Sequence, residues 1–477
     1  KKNFQENFPV GGSGKTGMNS IWAVNFIPSS QEKILKLYSN LAKDLVGYGF
    51  FAALSKCASL LLLPALTRLF SEDEYGTFDL ILSISVFAGV LISLSLESAL
   101  VRFWSSDDNR KQTAEKFMTC MITVLFVGSL VIAVSFVLAR LPFFTFENQQ
   151  TILGHLPIAM TAILFQALFN LSNVCFRMRR EILKFNLMNL AHSFCYVFLS
   201  LFFVLDQACG IAGLFYGSSL AGIGSLLLSL FLNREFLGLK FSTRKLISFL
   251  KYSVPIIPGV LTTFFNARAD RFIILTFIGY SMVGIYAAVF TYTGVVQVLV
   301  SIFRNAWTPH SIEALKEKAS VRDQIFSKVL SGYLLAFFAG GVVFVLCSGF
   351  LVDLILPPAY QSGVVIVPWL VGAAVLHGAS SIANVGTLVT KRTIGNTYAS
   401  VIALFSNVLL SLLLIEKYGL KGAAIGTFVS ESLFFAFLLL LSHRQIKIRF
   451  NFSLIIGLLL SYACFCLWIS FYGEGAP

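Results

Sequence analysis

The sequence has few charged residues, and this shortage excludes most classes of soluble protein. Only 12% of its 477 residues are Asp, Glu, Lys or Arg, whereas 57% are hydrophobic and the mean hydropathy is +0.81. Soluble domains carry roughly 25% charged and roughly 45–50% apolar residues. A water-soluble enzyme, a disordered chain and a disulfide scaffold are therefore disfavoured.

Patterns that bind metals or form disulfides are also lacking. The eight cysteines contain no CxxC pair, and most lie in apolar runs, where cysteine behaves as a small hydrophobic residue. The five histidines are dispersed without the spacing of metal ligands. The sequence therefore predicts no disulfide framework, no metal site and no cofactor.

Long apolar runs occupy most of the chain. One bilayer crossing takes about 20 largely apolar residues. Thirteen such runs lie at about 45–66, 77–101, 117–139, 152–176, 185–205, 211–232, 253–278, 284–303, 329–352, 364–388, 398–415, 423–442 and 453–472. Because they lack the period-2 alternation of membrane strands, the sequence predicts an all-α polytopic membrane protein with twelve to fourteen transmembrane helices.

Lys and Arg are distributed unevenly between alternate connections. With a cytoplasmic N-terminus, the cytoplasmic connections hold 29 of them and the opposite connections hold 4. This asymmetry predicts a multi-pass membrane protein with its N-terminus in the cytoplasm, and it explains most of the net charge of +13 without nucleic acid as a partner. Thirteen spans leave the C-terminus outside, so either a fourteenth helix is missing from a truncated end or one predicted span is wrong.

An internal repeat predicts two halves. The pattern Gly-x-x-Gly-x-x-x-Gly begins helices at 210–217 and 419–426, and two further segment pairs have offsets close to the same value. We therefore expect two pseudo-symmetric six-helix bundles that hold substrate between them; the alternative is chance recurrence of small residues. The predicted organisation is a cytoplasmic N-terminal segment at 1–44, bundles at 45–235 and 253–445, a cytoplasmic linker at 236–252 and an extra helix at 446–477.

Charged side chains within predicted spans are candidate functional residues, because a charge at mid-membrane costs at least ~2.5 kcal/mol. The seventh span holds Arg268, Asp270 and Arg271, and two cations against one carboxylate predict a positive surplus. Lys56 in the first span and Arg304 at the end of the eighth add cations suited to an anionic substrate. The alternative for the seventh span is a local ion pair that only neutralises itself.

Carboxylates and uncharged polar residues complete the candidates. Glu97, Asp270 and Glu431 are candidates for coupling transport to protons or sodium. Polar residues at helical spacing in both halves predict a hydrated chamber able to bind sugar hydroxyls, and for any single helix the alternative is interhelical hydrogen bonding. The expected lining includes Asn170, Asn173, Gln297, His377 and Asn384.

Several segments together resemble one family of membrane proteins. They are PALTRLFSEDEYG at 64–76, ADRFII at 269–274, VGIY at 283–286, AWTP at 306–309 and YGLKGAAIG at 418–426. In this order the chain resembles the bacterial polysaccharide transporter family, the Wzx-type O-antigen and oligosaccharide flippases of the MATE-like superfamily. The resemblance implies two bundles around a V-shaped cavity and no enzymatic step. It also implies translocation of undecaprenyl-pyrophosphate-linked oligosaccharide to the periplasmic leaflet, in a pathway with glycosyltransferases and a polysaccharide polymerase.

Two other functions remain open at the level of sequence. A MATE-type multidrug antiporter shares the fold but exports cations, so its cavity should be net anionic. The charges within the spans are balanced, and Arg102, Arg140 and Arg304 at span ends make the sum positive, which favours the flippase. A polymerase or ligase works with large outer loops, whereas the longest outer connections here have about eleven residues, near 141–151 and 353–363.

Overall fold

The described part of the chain is helical. A computed structural model describes Leu54 and residues 60–104, 109–140, 147–238, 240–390 and 394–472, and it contains no β-strand within these ranges. The first two α-helices are α1, Leu60–Leu69, and α2, Glu72–Ser93. The next fifteen are α3 Leu96–Arg102, α4 Arg110–Leu138, α5 Glu147–Met178, α6 Ile182–Leu205, α7 Ile211–Leu232, α8 Thr243–Ser253, α9 Ile257–Phe277, α10 Tyr280–Ala314, α11 Ala319–Leu346, α12 Ser348–Ile355, α13 Val367–Ala383, α14 Val385–Thr390, α15 Ile394–Tyr418, α16 Leu420–Ile446 and α17 Phe452–Tyr472. Short 3₁₀ helices cover Arg234–Phe236, Val254–Ile256 and Pro358–Ile366.

Twelve helical segments of the described residues are long and apolar enough to cross a membrane. Each overlaps one of the predicted runs from 77–101 onward, so the prediction of an all-α polytopic membrane protein is confirmed. The run at 45–66 lies mostly outside the described residues, and α1 covers only its end. The predicted linker at 236–252 contains a helix, α8, which the apolar-run analysis missed because its apolar residues lie on one face only.

Local capping fixes where the site-bearing helix α2 begins and ends. The Ser71 hydroxyl accepts a hydrogen bond from the Glu74 amide, and the Glu74 carboxylate accepts one from the Ser71 amide at 2.9 Å. This reciprocal pair satisfies amides that have no partner within the first turn. At the other end Leu94 and Ser95 both have positive φ, 46° and 52°, so the predicted span 77–101 is divided into α2 and α3.

The spanning helices pack in two groups joined mainly through α2. In the first group α5 contacts α2, α4 and α7, and α6 pairs with α7. In the second group α13 contacts α10, α11 and α16, while α15 packs on α9 and α16, and α17 lies against α11 and α13. Helix α2 crosses from the first group to contact α9 and α10. The boundary between the two groups is therefore formed by α2, α9 and α10.

The two Gly-x-x-Gly-x-x-x-Gly segments have the same local structure. Gly210 has φ 57° and ψ −141°, and Gly419 has φ 55° and ψ −134°, a conformation that favours glycine. One turn later, a Cβ on Gly213 or Gly422 would press on the backbone of the preceding helix, at Val204 or Ile415. These matching contacts support the interpretation that the two segments arose by duplication.

The end of the molecule that carries the α1–α2 and α9–α10 connections is closed by contacts between the groups. Gly76 of α2 and Gly284 of α10 meet backbone to backbone, so that a Cβ on Gly284 would lie 2.9 Å from the Gly76 nitrogen. Tyr360 donates from its hydroxyl to the Phe70 carbonyl at 3.0 Å, and Arg68 donates from Nη2 to the Leu354 carbonyl at 2.9 Å. In the topology predicted from the sequence this is the outer end.

Candidate functional site

The site centres on a charged cluster where α9 faces α2. Helix α9 supplies Arg268, Asp270 and Arg271 near its midpoint, and α2 supplies Asp79. Asp79 lies 2.7 Å from Nε of Arg271 and 3.0 Å from Nη1 of Arg268. One carboxylate of the first helix group therefore accepts hydrogen bonds from two guanidinium groups of the second.

Arg271 is the buried member of the cluster. Its side chain is 1% exposed, and Nη1 donates to Asp270 at 2.9 Å and to the Ala267 carbonyl at 3.0 Å. Its guanidinium carbon lies 4.5 Å from the centre of the Phe290 ring, a cation–π geometry. Asp270 in turn accepts a hydrogen bond from the Tyr286 hydroxyl. A guanidinium with this many partners has a structural role, because its charge is already matched.

Arg268 is the more accessible member. Its side chain is 23% exposed, and both of its hydrogen bonds are made by Nη1, to Asp79 and to the Ser83 hydroxyl at 3.1 Å. The planar guanidinium has five N–H donors in all. The remaining N–H groups of Arg268 can therefore donate to an anion.

The expected positive surplus in the seventh span is wrong. The sequence analysis counted Arg268 and Arg271 against Asp270 alone, but Asp79 makes the cluster two cations against two carboxylates. Asp79 was overlooked although it lies in the predicted span 77–101. The rule that was applied to the other spans could have found Asp79, because it expects a carboxylate within an apolar run to have a partner.

A first cavity, the arginine cavity, opens beside this cluster. Its volume is about 270 Å³, and it lies between α1, α2 and α6 on one side and α9 and α10 on the other. Arg268, Arg271, Asp79, Tyr196 and Gln297 provide its polar lining. The cavity therefore combines exposed guanidinium donors with hydroxyl and amide groups at the boundary of the two helix groups.

A second cavity, the carboxylate cavity, lies on the other side of the cluster within the second helix group. It also has a volume of about 270 Å³ and is lined by Asp270, Arg304, His377, Gln297 and Glu431, with Asn266 and apolar residues. Glu431 Oε1 accepts from Asn266 Nδ2 at 3.1 Å, and Glu431 Oε2 lies 3.1 Å from Nδ1 of His377. Gln297 lines both cavities, so the two are adjacent across α9 and α10.

Four of the predicted site residues line neither cavity. Asn170 is hydrogen-bonded to Gln166 at 2.9 Å, and Asn173 is 2% exposed and donates to Asn189 at 3.4 Å. In the described residues these two side chains are bonded within and between helices of the first group, and their lining role stays a prediction.

The other two are also removed from the cavities. Asn384 follows the last residue of α13 and accepts a hydrogen bond from Thr387, and its lining role stays a prediction. Glu97, the candidate coupling residue on α3, lies near Arg177 of α5. Lys56 lies outside the described residues.

Comparisons with known proteins find one family for the chain and several solved structures with a similar fold. A family model described as "Polysaccharide biosynthesis protein" matches residues 48–315. No curated protein matches the sequence.

Solved structures with this fold belong to flippases and MATE transporters. The lipid II flippase MurJ in its inward closed conformation superimposes with a TM-score of 0.68 at 15% identity, over 90% of this chain and 93% of that one. An inward-facing multidrug resistance MATE family transporter of the MOP superfamily gives 0.64 at 14% identity, over 83% and 98%. The Vibrio cholerae MATE transporter VcmN in its bent form gives 0.55 at 14%, over 86% and 98%. At these identities the likeness shows the fold, which agrees with the MATE-like architecture expected from the sequence.

Proposed function

This chain belongs to the family of polysaccharide biosynthesis proteins, and on that premise we propose that it is a flippase for lipid-linked oligosaccharides. The proposed substrate is an undecaprenyl-pyrophosphate-linked glycan of a surface polysaccharide such as O-antigen. Transport is by alternating access across the bacterial inner membrane, from the cytoplasmic to the periplasmic leaflet. The observation that carries this proposal is the partly exposed guanidinium of Arg268 in a cavity at the boundary of the two helix groups.

The pyrophosphate competes with Asp79 for Arg268. Charge-assisted hydrogen bonds from guanidinium to phosphate are among the strongest available, and the low dielectric of the cavity strengthens them. When Arg268 turns to the pyrophosphate, Asp79 keeps its 2.7 Å bond to Arg271 and is not left unpaired. Substrate binding thereby removes one of the ion pairs that join α2 to α9, which ties occupancy of the cavity to separation of the helix groups.

The remaining candidates are assigned supporting roles. Lys56 and Arg304 are proposed as further cations along the path of the pyrophosphate, and Gln297 and Tyr196 as hydrogen-bond partners of the glycan. Membrane lipids surround the protein and accept the polyprenyl chain. The glycosyltransferases that build the glycan and the polymerase that extends it are the proposed pathway partners.

Ion coupling is proposed for the carboxylate cavity. Asp270 and Glu431 both line it, and Asp270 also bonds Arg271 of the cluster. Asn266 bonds Glu431 and precedes Arg268 by two residues on α9. A proton or sodium ion that binds at Glu431 therefore acts within one helix turn of the arginines that contact α2. Glu97 lines neither cavity and is a weaker candidate.

The experiment that tests the proposal is complementation of surface polysaccharide. A strain that depends on this gene is supplied with wild type, Arg268→Ala, Lys56→Ala or, as a control, the exposed Arg444→Ala. We expect Arg268→Ala and Lys56→Ala to lose most surface polysaccharide at wild-type protein levels in the membrane, and Arg444→Ala to retain it. Wild-type polysaccharide in the Arg268→Ala strain would contradict the proposal.

A cation-exporting antiporter is the second candidate, and the carboxylates favour it. The two described cavities together are lined by three carboxylates and three arginines, so their charge is balanced rather than positive. The carboxylates are Asp79, Asp270 and Glu431, and the arginines are Arg268, Arg271 and Arg304. An antiporter of this type predicts that loss of the gene raises susceptibility to organic cations and leaves surface polysaccharide intact. The same strain distinguishes the two functions.

A further inference from the structure

The largest of the cavities described for this chain takes no part in the proposed polar path. It is a groove of about 590 Å³ between α10 and α11, which we name the α10–α11 groove. Apolar side chains line it almost entirely, among them Leu299 and Phe303 of α10 and Phe337 and Val343 of α11. Leu299 is 53% exposed and Val343 is 60% exposed, so among the described residues the groove is open along an apolar face that we expect to meet lipid.

Two neighbouring glycines of α11 show that the groove is a depression and not a packing seam. Gly341 lines the groove where it meets the protein interior, because a Cβ there would lie 3.0 Å from Val371 of α13. A Cβ on Gly340 would meet no atom within 4 Å, so this residue faces the empty groove. Ala336 precedes Gly340 by one turn and also lines the groove, and these two small residues leave a notch along α11.

The groove and the arginine cavity flank the same ridge of α10. Gly294 and Val298 line the arginine cavity, and the next residues in sequence, Val295 and Leu299, line the groove. Residues four apart lie above one another on a helix, so these are two adjacent rows on one helix. A ligand with its charged head at Arg268 reaches the groove by passing over α10 toward the lipid.

We propose that the α10–α11 groove binds the polyisoprenoid chain of the lipid-linked substrate while its pyrophosphate contacts Arg268. The proposal rests on the proposed function, because only an amphipathic substrate needs both a polar cavity with an accessible guanidinium and an apolar groove beside the same helix. A methyl-branched chain fills the notch at Ala336 and Gly340 and buries apolar surface that otherwise contacts fluid lipid. Binding of the chain here holds the head at the boundary of the helix groups during transport.

The test fills the groove without disturbing the protein around it. Gly340→Leu places a side chain in open space on an exposed helix face, and leucine favours helix over glycine. The matched control is Gly457→Leu on α17, where a Cβ also meets no atom within 4 Å. Full-length protein is purified, its thermal stability is compared across the three forms, and native mass spectrometry measures binding of undecaprenyl phosphate and of phosphatidylglycerol.

We expect Gly340→Leu to weaken undecaprenyl phosphate binding by about ten-fold, and Gly457→Leu to leave it unchanged. Phosphatidylglycerol binding should be the same in all three forms. Equal undecaprenyl phosphate binding by wild type and Gly340→Leu would overturn the inference, and so would a parallel loss of phosphatidylglycerol, which indicates a general lipid site.

Arg268→Ala in the same assay separates this inference from the proposed function. If Arg268→Ala weakens undecaprenyl phosphate binding and Gly340→Leu does not, the groove is rejected and the cationic head site stands. If wild type binds no undecaprenyl phosphate, both are rejected.

Discussion

Arg268 and Arg271 lie one turn apart on α9 but differ in what they can do. Arg271 is buried and bonded to two carboxylates and a carbonyl, so its removal leaves Asp79 and Asp270 in a low-dielectric region with one cation fewer. Arg268 is partly exposed and bonds through one nitrogen. Compared with the removal of Arg271, its removal destabilises the cluster less and weakens substrate binding more. The same residue type thus serves structure at one position and recognition at the other.

This difference predicts a separation of stability from transport. Arg271→Ala should lower the free energy of unfolding by about 3–5 kcal/mol, the usual cost of removing one partner from a buried ion pair. Arg271→Lys should rescue it only in part, because lysine cannot reproduce the two-sided guanidinium geometry. Thermal unfolding of the purified variants measures the effect, with Arg268→Ala as the comparison. Equal stability of Arg271→Ala and wild type would show that Arg271 does not hold the cluster together.

The two cavities predict which carboxylate couples transport to an ion gradient. Glu431→Gln should remove the dependence of transport on that gradient, because glutamine has nearly the same shape as glutamate but cannot carry the charge. Glu97→Gln should keep the dependence, since Glu97 lines neither cavity. Export of polysaccharide is followed while the proton or sodium gradient is dissipated by an ionophore. The assignment of Glu431 fails if the ionophore still changes the rate of export in Glu431→Gln.

The sequence could predict part of the site for a definite physical reason. Arg268, Asp270 and Arg271 are near neighbours on one helix, so a single window shows them together. Asp79 joins them from 192 positions before Arg271, and only the packing of α2 on α9 brings it there. Asn170 and Asn173 have helical spacing like that of Gln297, but spacing does not show whether a polar face meets a cavity or another asparagine.

Helices α2 and α10 form the tightest contact between the helix groups, and it depends on glycine. Their outer ends approach closely enough that Gly76 and Gly284 are in backbone contact. The two glycines end one of the further segment pairs of the internal repeat, Glu74-Tyr75-Gly76 and Met282-Val283-Gly284, which are 208 positions apart. A contact between equivalent positions is what a pseudo-two-fold axis through this point produces.

Gly284→Ala is therefore expected to favour opening at the outer end. The added Cβ would lie 2.8 Å from the Glu72 carbonyl carbon and 2.9 Å from the Gly76 nitrogen, and overpacking of this kind costs about 1–3 kcal/mol in the closed state. Spin labels at Gln207→Cys and Ser362→Cys, in a background without native cysteines, report the outer separation. Gly284→Ala should shift the distances upward, and Gly224→Ala, which faces open space, should not. Identical distance distributions in both variants would mean that this contact does not control opening.

The extent of the helices was predictable, whereas their interruptions were not. The length of an apolar run reflects the length of helix in contact with lipid, and the predicted runs match the twelve described spans to within about three turns at every end, with the largest difference at the end of α10. The break at Leu94 and Ser95 depends on two residues adopting the left-handed conformation, and neither is a glycine that would signal it. Helix α8 was missed because its apolar residues lie on one face of a basic segment, and a segment of this composition was interpreted as a linker.

At the scale of the whole molecule, the positive-inside asymmetry predicts which end faces the cytoplasm. Ser362→Cys, in the connection after α12, should react with a membrane-impermeant maleimide on intact cells. Lys240→Cys, in the connection between α7 and α8, should react only after permeabilisation. The mass of the purified protein shows whether each cysteine has reacted with the maleimide. The reverse pattern would invert the topology and, with it, the proposed direction of transport.

The central claim is that the molecule carries a lipid-linked pyrophosphate past Arg268. The most direct measurement reconstitutes the purified chain in liposomes and compares flipping of a fluorescent undecaprenyl-pyrophosphoryl sugar with uptake of an organic cation. The account predicts that wild type flips the lipid-linked sugar, that Arg268→Ala does not, and that neither accumulates the cation. Cation uptake without flipping would contradict it and identify the protein as an antiporter.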